Sequence, residues 1–134
     1  MPKPDIVLNL LGVTGERPDR GDENGIICGK QLFYSMIYLA QSFGKNGTNT
    51  QVQFKILTDN AFKVFNERKL YYGKTLAVGP CKVIPKEYPN IRCSMVDFEL
   101  QQAGSSDEQD IIECLVTETY EKGIENIIAY RGLE

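Results

Sequence analysis

The most informative stretch of the sequence is residues 79–98, which read GPCKVIPKEYPNIRCSMVDF. The first part carries apolar residues at helical spacing, and Pro85 and Pro89 mark the end of that helix because proline has no backbone donor. The last part, residues 91–98, is rich in β-branched and aromatic side chains, which is typical of a β-strand. These twenty residues therefore predict one helix followed directly by one strand.

The same alternation continues toward both termini. The predicted strands are residues 6–13, 52–60, 91–98 and 124–130, and the predicted helices are residues 26–43, 74–87 and 106–123. Residues 6–13 form a nearly continuous apolar run, which indicates a strand buried on both faces. Strands that alternate with helices imply right-handed crossovers, so we expect a mainly parallel sheet of about four strands covered by helices. The fold class is α/β, in a single domain over residues 1–134.

Local signals set the predicted helix boundaries. Gly44 should stop the first helix, and Pro80 should interrupt or bend the second. Residues 106–109 form a capping box for the third helix, and Gly123 closes it. The predicted buried stripes are Leu32, Phe33, Met36, Ile37, Ala40 and Phe43 in the first helix and Ile111, Ile112, Leu115, Val116 and Thr119 in the third.

One segment has two interpretations. Residues 61–72 alternate apolar and polar positions on either side of Asn66-Glu67, which suggests a small β-hairpin. An irregular loop fits the same residues equally well.

Composition limits the classes of function. The chain has 134 residues and a net charge of −3, so it lacks the excess of basic residues that is typical of proteins that bind nucleic acid. No apolar run reaches the ~18 residues that a membrane helix needs. The start, Met1-Pro2-Lys3-Pro4, lacks the apolar core of a signal peptide. We therefore expect a soluble, cytoplasmic chain that binds neither nucleic acid nor membrane.

The cysteines predict neither a metal site nor a disulfide. They stand at positions 28, 81, 93 and 114 without a CxxC pair, and the chain contains no histidine. Each cysteine lies in an apolar stretch, where a small buried side chain is the ordinary interpretation. The absence of histidine excludes Ser-His and Cys-His nucleophile pairs within these residues.

The order of strands and helices resembles the second half of a short-chain dehydrogenase. In that family a tyrosine donates the proton, and a lysine four residues later on the same helix lowers the tyrosine pKa. The residues four positions after the seven tyrosines are Tyr38, Ser42, Thr75, Leu76, Arg92, Ile124 and Glu134. Only Tyr88 has a basic residue at that spacing, and Pro89 breaks the helix between them. We therefore predict no catalytic residues.

The sequence also predicts no cofactor-binding or metal-binding residues. Gly12-Val13-Thr14-Gly15 lacks the third glycine of a dinucleotide fingerprint and leads into a polar loop, so a turn is the better interpretation. Asp107, Glu108 and Asp110 fit the first turn of a helix, where carboxylates favour the dipole. Arg131 fits a solvated strand end.

Three strings resemble the ketoreductase region of modular polyketide synthases. Residues 33–44, FYSMIYLAQSFG, are similar to a "FYSLLYLAQALG" helix in that family. Residues 79–89 match a "GPxxVxPxEYP" segment of the trans-acyltransferase type, and residues 129–132 match its closing "AYRG". The resemblance covers residues 4–132 and implies a truncated Rossmann-like, three-layer fold.

The resemblance implies a role in a larger enzyme. In that family the ketoreductase has two halves, and these strings belong to the first, a non-catalytic structural subdomain. The second half binds NADPH and reduces a β-ketoacyl group on an acyl carrier protein. The early strands of the structural half are absent here, which implies a piece of a longer polypeptide and an open sheet edge at residues 6–13. Such an edge invites pairing between chains, so we expect homodimerisation.

Two other functions fit the same residues. One is a docking module for a carrier protein or a trans-acting acyltransferase, and the other is a self-sufficient NAD(P)-dependent reductase with unorthodox catalytic residues.

Overall fold

A computed structural model describes residues 4–13, 25–45, 51–62, 70–99, 109, 112–114, 116–117 and 127–130. The elements in chain order are strand β1 (Ile6–Gly12), helix α1 (Ile26–Lys45), strand β2 (Val52–Asp59), a 3₁₀ helix (Tyr72–Ala77), helix α2 (Val78–Glu87), strand β3 (Ile91–Phe98) and strand β4 (Ile127–Tyr130). Residues 109, 112–114 and 116–117 are also helical.

The four strands form one parallel sheet in the order β1-β2-β3-β4. In its register, Phe54 of β2 lies between Val7 and Cys93, and Ile56 lies between Asn9 and Met95. Parallel neighbours need a crossover connection, and α1 and α2 are the first two of these. The predicted α/β fold with a parallel sheet is confirmed.

The main core lies between the sheet and one layer of helices. Phe54, Ile56 and Met95 project from the sheet into a cluster with Leu32 and Met36 of α1. Cys81 and Ile84 of α2 complete this cluster from the same side. Consecutive right-handed crossovers that advance in one direction place their helices on one face, which explains the shared layer. Burial of each large apolar side chain contributes about 1.5–3 kcal/mol.

A smaller cluster occupies the opposite face of the sheet. It contains Leu57, Val96 and Phe98, with Val13 and Tyr130 packed against it. These residues lie toward the carboxyl ends of the strands. The third layer of the predicted three-layer fold would cover this face, and it stays a prediction.

The predicted burial of the first strand on both faces is wrong. β1 lies at the edge of the sheet, and Leu8 and Leu10 are 47% and 56% exposed. Val7 and Asn9, at the alternate positions, face α1 and are less exposed. An apolar run does not distinguish an edge strand from a central one, because its side chains do not report which neighbours the backbone acquires.

The first helix does not stop at Gly44 but continues to Lys45. Gly44 lies against the ring of Tyr88, so close that a side chain there would overlap the ring. The glycine therefore makes room for an aromatic side chain and does not serve as a helix C-cap.

The second helical segment is divided before Pro80, between Ala77 and Val78, where a 3₁₀ helix passes into α2. Pro80 occupies the first turn of α2, where a backbone N–H has no intrahelical partner and its absence costs little. The helix ends at Glu87, between Pro85 and Pro89, as predicted. The N–H of Tyr88 caps it by donating to the Ile84 carbonyl at 2.8 Å.

The hairpin predicted over residues 61–72 is not seen at its described positions. Residues 61, 62, 70 and 71 have no strand structure, Tyr72 begins the 3₁₀ helix, and residues 63–69 lie outside the described residues.

In the third helix, Ile112 and Val116 are about half exposed, so the predicted buried stripe is wrong at these positions. Cys114 is the least exposed described residue there, which places the inward face of the helix near it. Residues 106–108, 110, 111, 115, 119 and 123 lie outside the described residues. The last predicted strand is present at Ile127–Tyr130, and residues 124–126 also lie outside.

Gly29 allows α1 to touch the 3₁₀ helix, and its replacement tests that contact. A Cβ at Gly29 would collide with the carbonyl of Gly73, which is backbone and cannot rotate away. We expect Gly29→Ala to lower the free energy of unfolding by about 3 kcal/mol, as overpacking does. Urea denaturation measures this change.

Gly79 provides the matched control because it is exposed on α2 and a Cβ there has nothing within 4 Å. Gly79→Ala should stabilise the chain by about 0.5–1 kcal/mol through helix propensity. Equal effects of the two substitutions would contradict the tight contact at Gly29.

Candidate functional site

Polar side chains collect at the carboxyl ends of β2 and β3, the edge where parallel α/β sheets bind ligands. Thr58 and Asp59 end β2, and Asp97 is the penultimate residue of β3. All three have 0% exposure, although two of them carry carboxyl groups. Buried carboxylates require close partners, so the site is defined by what these groups contact.

The Asp97 carboxylate organises the turn that follows β2. Its Oδ1 accepts hydrogen bonds from Thr58 Oγ1 at 2.6 Å and from the Ala61 N–H at 3.0 Å. Its Oδ2 accepts from the Phe62 N–H at 3.1 Å. Asn60 lies within this turn at φ 53°, a left-handed conformation that asparagine tolerates better than most residues. Asp97 thus acts as the anchor of a loop.

Asp59 forms a buried ion pair with Lys74 of the 3₁₀ helix, and both side chains have 0% exposure. The Lys74 ammonium also donates to the backbone carbonyl of Asp59 at 2.9 Å. The pair joins the end of β2 to a helix fifteen positions later in the chain. A lysine is rarely buried without such a partner.

The same ammonium lies over the ring of Tyr71, 4.7 Å from its centroid. On an α-helix a tyrosine and a lysine meet at a spacing of four residues. Tyr71 precedes a 3₁₀ helix, in which residues three apart lie above one another, so Lys74 meets it at a spacing of three. The sequence contains this pair at a spacing of three, but no local sequence signal identifies the 3₁₀ helix.

Within the part of the chain that the structure describes, two buried polar atoms in this region have no hydrogen-bond partner. They are the Oη of Tyr71 and the Oδ1 of Asn60. The residues are neighbours, because the Tyr71 N–H donates to the Asn60 carbonyl at 2.7 Å. Tyr71 is only 5% exposed and its lysine is fully buried, so the pair has the residue types of a reductase dyad without an open approach for a substrate.

The other tyrosine with a basic residue nearby does not form a pair. Tyr88 follows α2 with extended backbone (φ −126°, ψ 90°), and its ring packs against Gly44. Arg92 is exposed on β3. These positions agree with the prediction that Pro89 separates the two residues.

Gly12 has a packing role at the end of β1. A Cβ there would lie 2.6 Å from Thr58 Cγ2 and 2.8 Å from the Leu57 carbonyl oxygen. The glycine therefore permits close approach of β1 to β2. Thr14 and Gly15 of the proposed turn lie outside the described residues.

Cys81 of α2 and Cys93 of β3 form a hydrogen-bonded thiol pair inside the main core. The hydrogen bond with Cys93 lowers the pKa of Cys81 below its ordinary value, although burial opposes this effect. The hydrogen bond with Cys81, together with burial, raises the pKa of Cys93. Cys28 is buried as well and donates to the Leu11 carbonyl at 3.0 Å. The expected burial of these cysteines is confirmed at positions 28, 81 and 93, and all four cysteines are free thiols.

The structure bears only partly on the predictions about metal sites, membrane helices and surface charges. Within the described residues no three His, Cys, Asp or Glu side chains are grouped so as to hold a metal ion. In the same part of the chain, no helix has the length and apolar character to cross a membrane. Asp107, Glu108, Asp110 and Arg131 lie outside the described residues.

Comparison with known proteins gives a likeness in fold. No model of a known protein family matches the chain, and no curated protein matches it. The fold is similar to a solved structure described as "Adenylation, ketoreductase, and pseudo Asub multidomain structure of a keto acid-selecting NRPS module", with a TM-score of 0.77 and 18% sequence identity. The match covers 96% of this chain and 10% of that chain. It shows the shared α/β, Rossmann-like fold, and it does not favour a polyketide synthase.

The buried ion pair predicts a large effect of removing one partner. Lys74→Met leaves the Asp59 carboxylate buried without its ammonium, so we expect the free energy of unfolding to fall by about 3–5 kcal/mol. Urea denaturation at neutral pH measures this loss. Adding Asp59→Asn should recover part of it. Lys82→Met, at an exposed position on α2, is the control and should change little. Equal stability of the two lysine variants would argue against the pair.

The burial of three thiols predicts the order in which the cysteines react. In the native chain a disulfide reagent should modify Cys114 first. Cys114 is partly exposed, whereas the other three cysteines are buried. After denaturation all four should react. Spectrophotometric thiol titration measures both stages. A rapid native reaction that survives in Cys114→Ser would show that one of the buried thiols is accessible.

Proposed function

We propose that this chain is the non-catalytic structural half of a ketoreductase in a multidomain synthase. The observation that carries the proposal is the internal use of the polar groups at the carboxyl edge of the sheet. Thr58 and the backbone of residues 61–62 bind the Asp97 carboxylate, and Lys74 binds Asp59. Groups that catalyse a reaction must reach a substrate, whereas these groups hold a loop and a helix in place.

The sheet topology supports the same role. Dinucleotides bind open α/β sheets at the crevice where the strand order reverses. The described strands follow one another without a reversal, from β1 to β4. A sheet of this kind supplies one half of a doubly wound layer, and the nucleotide crevice would need strands from elsewhere in the polypeptide.

The parent enzyme is proposed from two sources. The strings at residues 33–44, 79–89 and 129–132 resemble polyketide synthase ketoreductases, while the similar solved structure is an NRPS module that contains a ketoreductase. In either parent, a catalytic half of the same polypeptide would bind NADPH and reduce a carbonyl group. In the polyketide case the substrate is a β-ketoacyl group on an acyl carrier protein. We expect such a synthase in the cytoplasm.

A binding and complementation experiment tests the proposal. Titration of the purified chain with NADPH, followed by nucleotide fluorescence, should give no saturable binding in the micromolar range. The catalytic half, expressed as a separate polypeptide, should co-purify with this chain and reduce a ketoacyl thioester faster in its presence. Free carrier protein serves as the control and should not co-purify.

Each alternative gives a different result. Saturable NADPH binding or turnover by this chain alone would support the reductase interpretation. Retention of free carrier protein without the catalytic half would support a docking module. Either result would overturn the proposed structural role.

A further inference from the structure

Among the described residues, the outer edge of β1 carries backbone groups that no neighbouring strand binds. The Gln53 N–H donates to the Asp5 carbonyl at 2.9 Å, which sets the hydrogen-bond phase of the β1–β2 pair. In a parallel pair alternate residues direct their backbone groups toward the neighbouring strand. Residues 5, 7 and 9 therefore bond to β2, and Ile6 and Leu8 direct their N–H and carbonyl groups away from the sheet. Among the described residues, no strand pairs with that edge.

The side chains of this edge are apolar. The Asn9 amide donates to Ser35 of α1 at 2.9 Å, so Leu8 and Leu10, on either side of Asn9, project from the opposite face. Residues 6–12 read IVLNLLG and contain neither charge nor proline. Edge strands of soluble monomers usually carry such residues to prevent pairing with another chain. Between Asn9 and Gly12 the register with β2 is irregular, so the regular open edge ends near Leu10.

One flank of α1 continues this surface, and we call it the α1 flank. It consists of the exposed residues Ile27, Gln31, Tyr34 and Tyr38, which recur at helical spacing. Cys28 and Ser35, each one position further along the helix, contact β1. Gly29 and Gly73 place the 3₁₀ helix on the other side of α1. The α1 flank therefore lies beside the outer edge of β1.

The two tyrosines of the α1 flank are unusually exposed for aromatic residues. Tyr34 and Tyr38 are 53% and 65% exposed, and their rings stack on each other with centroids 6.3 Å apart. Tyrosine supplies a large contact area with a polar end and is enriched at protein interfaces. The open edge and the aromatic flank together form one surface with backbone and side-chain components.

We propose that a second copy of this chain binds this surface, with the two β1 strands paired antiparallel across a two-fold axis. The site needs an extended segment with outward amide groups and apolar residues at alternate positions, and β1 itself has both features. Because the segment from Ile6 to Gly12 is uncharged, its self-pairing opposes no like charges. A two-fold contact of this kind is self-complementary and closes at two copies.

The two-fold axis also explains why the helix flank belongs to the interface. An axis perpendicular to the sheet leaves the α1 helices of both copies on the same side, so their α1 flanks face each other. Leu8 and Leu10 of both copies then form one apolar patch on the opposite face. Pairing of two strands alone is marginal in water, and the α1 flank adds side-chain contact area to it. In the dimer the four described strands of each copy form one continuous sheet.

Sedimentation equilibrium and hydrogen exchange test the proposal on the full chain. The wild-type chain should dimerise with increasing concentration, and the amides of Ile6 and Leu8 should become protected by more than tenfold as it does. Leu8→Lys places two like charges near the axis at an exposed position, so it should give a monomer with unchanged thermal stability. Tyr38→Glu, on the α1 flank, should weaken the dimer at least tenfold.

Val83→Lys is the matched control. Val83 is 52% exposed on α2, away from β1, and this variant should dimerise as the wild type does. A strictly monomeric wild type at high concentration would overturn the inference. So would a dimer that persists in Leu8→Lys, or one whose formation leaves exchange at Ile6 and Leu8 unchanged. None of these outcomes bears on NADPH binding, so the inference and the proposed function are tested separately.

Discussion

The buried ion pair between Asp59 and Lys74 is the constraint on which the carboxyl edge of the structure depends. Moving two charges out of water costs several kcal/mol for each ion, and good geometry is needed to offset this. The Lys74 ammonium meets this need by binding the carboxylate, the backbone carbonyl of Asp59 and the face of Tyr71. The 3₁₀ helix is thereby held against the end of β2, and Gly73 of that helix contacts α1 through Gly29.

This arrangement has a consequence for function. The carboxyl edge of a parallel sheet is where many α/β enzymes hold substrate and cofactor. Here Asp97 binds the loop after β2, and Asp59 with Lys74 binds a helix, so charges that could face a ligand stabilise the fold. Among the described residues, exposed apolar side chains lie elsewhere, including along β1 and on the outside of α1.

Sequence patterns predicted elements well wherever the signal was local. The strand at residues 91–98 and its preceding helix end follow from β-branched content and from two prolines, and both agree with the structure. The candidate site was harder to predict from the sequence. Asp97 looks like an ordinary residue within a strand, and its role depends on Thr58 and on a turn more than thirty positions away. The Tyr71–Lys74 contact was missed because the spacing rule assumed an α-helix.

The alternation of strands and helices, and with it the α/β class, can be read from the amino-acid sequence because hydrophobic periodicity is a property of neighbouring residues. The family resemblance already implied an open sheet edge at residues 6–13, but the exposure of Leu8 and Leu10 there and the burial of Lys74 against Asp59 follow only from the three-dimensional arrangement. Both depend on which distant segments come together. An apolar strand has the same sequence pattern whether it has one neighbouring strand or two. The residues next to a lysine in the sequence do not show which distant carboxylate will pair with it in the core.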